Sequence, residues 1–138
     1  MASWIADVES KIYTVIKYKG EQNLKSKYKN IYYTTDSQAT TQTSFPTVYV
    51  NFMSNDERGQ DLEGKTMNAF LCTLQLDVTV SKTQGQVGAK EVIWQAIDTL
   101  KSYYGFDIFD LPKFIDTGNE TVRIVARARR IIGASETI

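Results

Sequence analysis

The stretch VRIVARARRIIG, residues 122–133, gathers Arg123, Arg127, Arg129 and Arg130 near the end of a chain whose basic and acidic residues balance at 16 each. Guanidinium groups sharing one exposed surface are what phosphate binding requires. Alternate residues of a strand share a face, so Arg123, Arg127 and Arg129 would stand together, with Lys82 and Lys90 as candidates to join them. Arg130 breaks the alternation, which predicts a bulge or a strand end at that point. The competing expectation is a solvated sheet face or a contact between subunits. There, arginines pair with carboxylates and lay their stems over apolar surface. That expectation is preferred, because no aromatic residue interleaves with the arginines as a base-stacking surface requires.

Other chemistry is thinner. Histidine is absent, which removes the commonest general base and metal ligand and excludes the Ser-His-Asp, Cys-His and HExxH schemes together. Cys72 falls on the apolar parity of its strand and has no base, so a small core residue is expected rather than a nucleophile. Asp56, Glu57, Asp61 and Glu63 lie in one polar segment and Asp107, Asp110 and Asp116 in another. Their spacing does not reproduce a calcium loop, and solvated loop charge is the expectation. GQVGAK has two glycines before a lysine but not the Walker spacing, and it is expected to be a helix's first turn. Asn119 in NET matches a glycosylation acceptor, and a turn is expected there. No catalytic, cofactor or metal site follows, so an enzyme is not expected.

A chain of 138 residues fits one domain, 1–138, with its own core. Net charge of zero supplies no global attraction for DNA or an anionic membrane. One cysteine and no secretory signal are consistent with a reducing cytoplasm, and no apolar run reaches the roughly 20 residues of a membrane helix.

These residues need elements to position them. Trp4, Ile5, Val8, Ile12, Val15 and Ile16 recur at helical spacing, so a helix is expected from about Ala2 to Lys19, capped by Ser3 and stopped by Gly20, with EQNLKSKYKN after it open to an added helical turn or to a solvated, lysine-bearing connector. Ile31–Thr35 reads as an edge strand followed by a polar loop, and TVYVNFM after Pro46 as a half-buried strand. The polar segment 54–68 reads as a loop, and AFLCTLQLDVTVSK as the clearest strand. Val92, Ile93, Ala96, Ile97, Leu100 and Tyr104 mark a second helix from about Val87 to Tyr104, with Gly105 as its C-cap. Residues 106–120 read as a connection with room for a short strand, and the arginine segment as the last strand. The fold class is α+β: a mainly antiparallel sheet of about four strands with two helices packed on one face. Strands this long outgrow a small core, which points to assembly through an edge or a face.

The order of DVE in the first helix, SFPTVYVNF, LDVTVSK before a Gly/Lys-containing helix start, GF after that helix, an LP loop and the closing VRIVARARRIIG…TI resembles the tail-terminator, or tail-completion, proteins of long-tailed bacteriophages and their prophage and tailocin relatives. The resemblance spans nearly the whole chain and rests on order and length. It implies a structural subunit of a hexameric ring that caps the head-proximal end of the tail tube, stops its polymerisation and forms the head or neck attachment surface. It implies no enzyme and no cofactor. The implied partners are further copies of the chain, the tail tube protein, a neck or head-completion protein and DNA passing non-specifically through the lumen, with no membrane. The implied location is the virion tail or neck, and the host cytoplasm during assembly. The four arginines are the interface candidates, at a subunit contact or in the lumen. The alternatives are another neck protein, either a stopper or a head-completion protein, and a nucleic-acid-binding module using the arginine strand.

Overall fold

The computed structural model describes residues 3–35, 45–60, 67–115, 121–136 and 138. Its elements in chain order are α1 (Ser3–Leu24), β1 (Tyr32–Thr34), β2 (Thr47–Gln60), β3 (Met67–Ser81), α2 (Gly85–Tyr104), β4 (Asp107–Ile115) and β5 (Thr121–Gly133). The α+β class holds. The strands form one sheet in the order β1-β2-β3-β5-β4, so there are five strands rather than four. The sheet is mixed, because β1 runs parallel to β2 while every other pair is antiparallel.

Alternation places β3 at the centre. Phe70, Cys72, Leu74, Leu76, Val78 and Val80 are buried on one face, as are Ile124, Ala126, Ala128 and Ile132 of β5. The small alanines stand directly opposite Leu76 and Leu74 in the register and leave room for α2. That helix seals the face with Ala89, Val92, Ile93, Ala96, Ile97 and Leu100. Its C-terminus closes as expected: Gly105 adopts φ 66°, and the amides of Gly105 and Phe106 donate to the carbonyls of Lys101 and Leu100. α1 packs beside α2, and its Val8, Ile12 and Ile16 join the same core. At its N-terminal end Trp4 meets Phe70 edge to face at 5.3 Å. No described helix is long and apolar enough to cross a membrane.

Several expectations are corrected. α1 does not stop at Gly20 but continues to Leu24. Gly20 instead makes space for the Tyr33 ring, so the glycine answers a packing demand from another element. Segment 54–68 is not a loop through most of its length: β2 and β3 stay paired out to Gln60 and Met67, with register shifts near Phe52 and Gly59. The connection after α2 is a nine-residue strand, β4. Residues 36–44, 61–66, Asp116 and Asn119 fall outside the described residues, and with them the greater part of the first polar loop, the hairpin tip and the NET turn.

Candidate functional site

Helices cover one face of the sheet, and the arginines of β5 stand mostly on the other. Arg123, Arg127 and Arg129 have the parity opposite the buried Ile124, Ala126 and Ala128. Arg130 breaks the alternation of residue type but not the strand pairing. The β3–β5 register is continuous through Cys72↔Arg130 and on to Ala69↔Gly133, so no bulge or strand end occurs there. Arg130 keeps the helix-side parity, between buried Ala128 and Ile132, at the end of the strand where its guanidinium can reach outward.

The four arginines therefore divide. Arg123 is held by Asp77, whose carboxylate accepts from Nε at 2.8 and 3.1 Å and from the terminal guanidinium nitrogen. Asp77 is only 7% exposed although it lies on the helix-free face, opposite the equally buried Val125. The hydrogen bonds to Asp77 hold the Arg123 pKa above the ordinary arginine value, with burial opposing. Arg130 pairs with Glu136, which also accepts the Gly133 amide at 2.9 Å. That backbone bond first, and the arginine after it, lowers the Glu136 carboxyl. Two of the four charges are thus consumed within the chain.

Arg127 and Arg129 remain available. Arg127 donates through Nε to the Gln75 amide oxygen, its direct cross-strand partner, at 3.1 Å, and meets no carboxylate among the described residues. Arg129 stands opposite Asp107, with a distant 3.8 Å approach between exposed side chains, and its guanidinium lies 4.7 Å above the Phe109 ring. Around them the surface is apolar. Phe109, Leu111 and Ile131 are all exposed, and Ile131 stands opposite Leu71 on the arginine side of the sheet.

Lys82 and Lys90 do not complete the group: Lys82 lies in the turn before α2, and Lys90, on α2, sits over the Phe114 ring. Asp107 and Asp110 are in exposed or half-exposed pairs with Arg129 and Lys113, in keeping with solvated charge. The backbone of Asp56 and Glu57 lies in β2. Cys72 is buried, and desolvation pushes its thiol up to about 12, the reverse of what a nucleophile needs. GQVGAK forms the first turns of α2. No group of three metal-ligating residues exists among the described residues.

Two features escaped the sequence reading. One is the length of β4, where the sequence left room only for a short strand; its Phe109 builds the platform under Arg129. The other is a concentration of lysine on α1 and the turn after it. Lys11, Lys17, Lys19, Lys25, Lys27 and Lys29 fall in 19 residues that contain one acid, Glu21. A running count of local charge would have found it. The chain matches no protein-family model and no curated protein.

Proposed function

We propose that the chain is a structural ring subunit of a phage or phage-like tail, a terminator that caps the head-proximal end of the tube and presents a surface to the neck or head. The observation that carries this reading is the contrast between the sheet's edges and its helix-free face. Both edges are blunted. β1 has three residues. β4 contains Pro112 and Lys113 and slips register twice against β5, devices that discourage another strand from adding. The helix-free face, by contrast, exposes Phe109 and Ile131 around two arginines that lack a close ion pair. Exposed apolar surface with arginine and aromatic residues at its centre has the composition of a protein interface.

Assembly through that face is heterologous. If it met its own copy with these arginines at the two-fold axis, Arg127 and Arg129 would confront Arg127 and Arg129. Meeting a different, acidic patch on the neighbour avoids that repulsion, and a heterologous contact whose rotation closes makes a ring. The tail-terminator resemblance supplies the hexamer and its place on the tube. A nucleic-acid role for this strand is less well supported, because Arg123 and Arg130 are already paired.

Sedimentation of the purified chain tests the reading: a ring-sized species is expected, and a monomer at high concentration would sink it. Arg127→Glu is expected to dissociate the ring, and an unchanged oligomer in that variant removes the arginine face from the interface. Adding the wild-type protein to polymerising tail-tube subunits should halt their growth, which separates a terminator from other neck proteins.

A further inference from the structure

A heterologous contact needs two unlike patches on one chain, so a surface that receives Arg127 and Arg129 is to be sought among the carboxylates. Most of those on the described residues are already taken: Glu21 by Lys25, Glu91 by Lys27, Asp77 by Arg123, Asp110 by Lys113 and Glu136 by Arg130. Asp107 approaches Arg129 itself at 3.8 Å. Asp7, Glu9 and Asp98 are spread over the two helices, with Lys11 or Lys101 within one turn of each. Acid is concentrated instead in residues 55–64, where Asp56, Glu57, Asp61 and Glu63 are set against one base, Arg58. Asp56 and Glu57 belong to β2, and residues 61–66 join that strand to β3.

The sheet register fixes where this acidic end of the hairpin stands relative to the arginines. Asp56 pairs with Leu71 and Leu71 with Ile131, while Ser54 pairs with Thr73 and Thr73 with Arg129. Asp56 and Ile131 therefore share one row across the sheet, and Arg129 lies in a neighbouring row. Adjacent strands are about 4.8 Å apart, which puts the β2 backbone about 10 Å from that of β5 at the same level along the strands. β4, with Phe109, continues the basic and apolar patch on the side away from β2. One end of the sheet thus has an acidic flank on β2 and a basic flank on β5 and β4.

Equal level has a geometric consequence. Where complementary patches stand at one height along the axis about which copies repeat, each copy follows its neighbour by rotation without rise, and the contact closes as a ring instead of growing into a filament. The two flanks meet that condition when the strands run along the axis.

We infer that the acidic end of the β2–β3 hairpin, centred on Asp56 and Glu57, is the surface of the neighbouring copy that receives Arg127 and Arg129. The inference rests on the ring reading and supplies the second half of its contact. Opposite charges orient the approach of the two copies, and the exposed Phe109 and Ile131 give the contact its apolar part.

Sedimentation of the full chain tests this with two charge-reversed variants, Arg127→Glu with Arg129→Glu and Asp56→Lys with Glu57→Lys. Each variant alone is expected to need at least about a tenfold higher concentration to form the ring, because like charges then meet at every contact. Mixed in equal amounts, the two should assemble together in alternation, since the reversed hairpin of one meets the reversed face of the other and the unaltered surfaces meet at the next contact. Recovery in the mixture cannot come from pairing within a chain, because neither variant keeps a complementary pair. A ring unaffected by the hairpin substitutions overturns the inference and leaves the ring reading standing. So does a mixture of folded variants that fails to recover the ring. If circular dichroism shows that the lysines unfold the chain, Asp56→Asn with Glu57→Gln takes their place: a weakened ring upholds the contact, and an unchanged one overturns it. A wild-type chain that stays monomeric removes the ring reading and this contact together.

Discussion

The ring of Tyr33 occupies the place where a side chain on Gly20 would begin. A Cβ on that glycine would fall within the phenol, 3.0 Å from Cε2 and closer still to the hydroxyl oxygen and Cζ. The Tyr33 hydroxyl finds no hydrogen-bond partner among the described residues, so the ring is held by shape and by Tyr13, whose hydroxyl donates to the Tyr33 carbonyl at 3.0 Å. The contact ties the C-terminal half of α1 to the edge strand β1.

Gly20→Ala is therefore expected to destabilise the fold although alanine is the better helix former. Propensity favours the substitution by about 1 kcal/mol, whereas forcing a methyl group into a filled site costs about 1–3 kcal/mol or more. Urea denaturation should show a net loss, and Tyr33→Val in the same chain should restore much of it. A stabilised single variant would mean that Tyr33 does not occupy this notch.

Asp77→Ala leaves the Arg123 guanidinium without its carboxylate on a face where Asp77 and Val125 are buried. Because the Arg123 side chain is 35% exposed, water takes over part of the missing pairing. The expected loss is about 2 kcal/mol, less than for a fully buried pair. Arg127→Gln, by comparison, should change the stability of the chain by no more than about 0.5 kcal/mol. Equal losses in chemical denaturation would show that the two arginines play the same structural part despite their different partners.

Cys72 sets an alkaline limit. Burial raises its thiol from 9.0 to about 12, so the folded state resists the thiolate that the unfolded chain forms more readily. The resulting stability is complete below about pH 9 and is lost as pH rises toward 12, at up to about 1.4 kcal/mol per pH unit. Tyr28, raised to about 12 chiefly by desolvation, adds to the same limb from about pH 10. Cys72→Ala should flatten the slope between pH 9 and 10, where Tyr28 does not yet contribute. A thiol reagent should label Cys72 only on unfolding, and rapid labelling of the native chain would contradict its burial.

Glu91 sets an acid limit. Its carboxylate accepts the Tyr28 hydroxyl at 2.5 Å and Lys27 Nζ at 2.9 Å, and these bonds, the tyrosine's first, lower its pKa below 4.5. A depressed carboxyl contributes stability above its unfolded pKa, and that contribution disappears as pH falls through the folded one. Tyr28→Phe should move the Glu91 titration, followed by carboxyl NMR, back toward 4.5. A stationary titration would show that the hydrogen bond does not form in solution.

Much of the architecture was legible in the amino-acid order because it depends on local period. The helical stripe from Val92 to Leu100, the Gly105 cap and the alternation from Phe70 to Val80 are properties of neighbouring residues, and the structure repeats them closely. Period alone also placed Arg123, Arg127 and Arg129 on one face. What it could not convey was occupancy. The carboxylate that takes Arg123 is 46 residues away, and the aromatic ring under Arg129 comes from a Pro-containing segment that becomes a strand only by pairing with β5.

The remaining differences have the same origin. Gly20 is a plausible helix stop until Tyr33 arrives from β1. Arg130 resembles an interruption until the unbroken register with β3 carries the strand past it. The parallel placement of β1 beside β2 leaves no mark in either segment. Sequence determined which residues prefer helix or strand and which faces are apolar, since those preferences act over a few residues. Tertiary structure alone decided which charges are neutralised and which remain on the surface, because a salt bridge or a ring contact depends on distances that exist only after remote segments have packed.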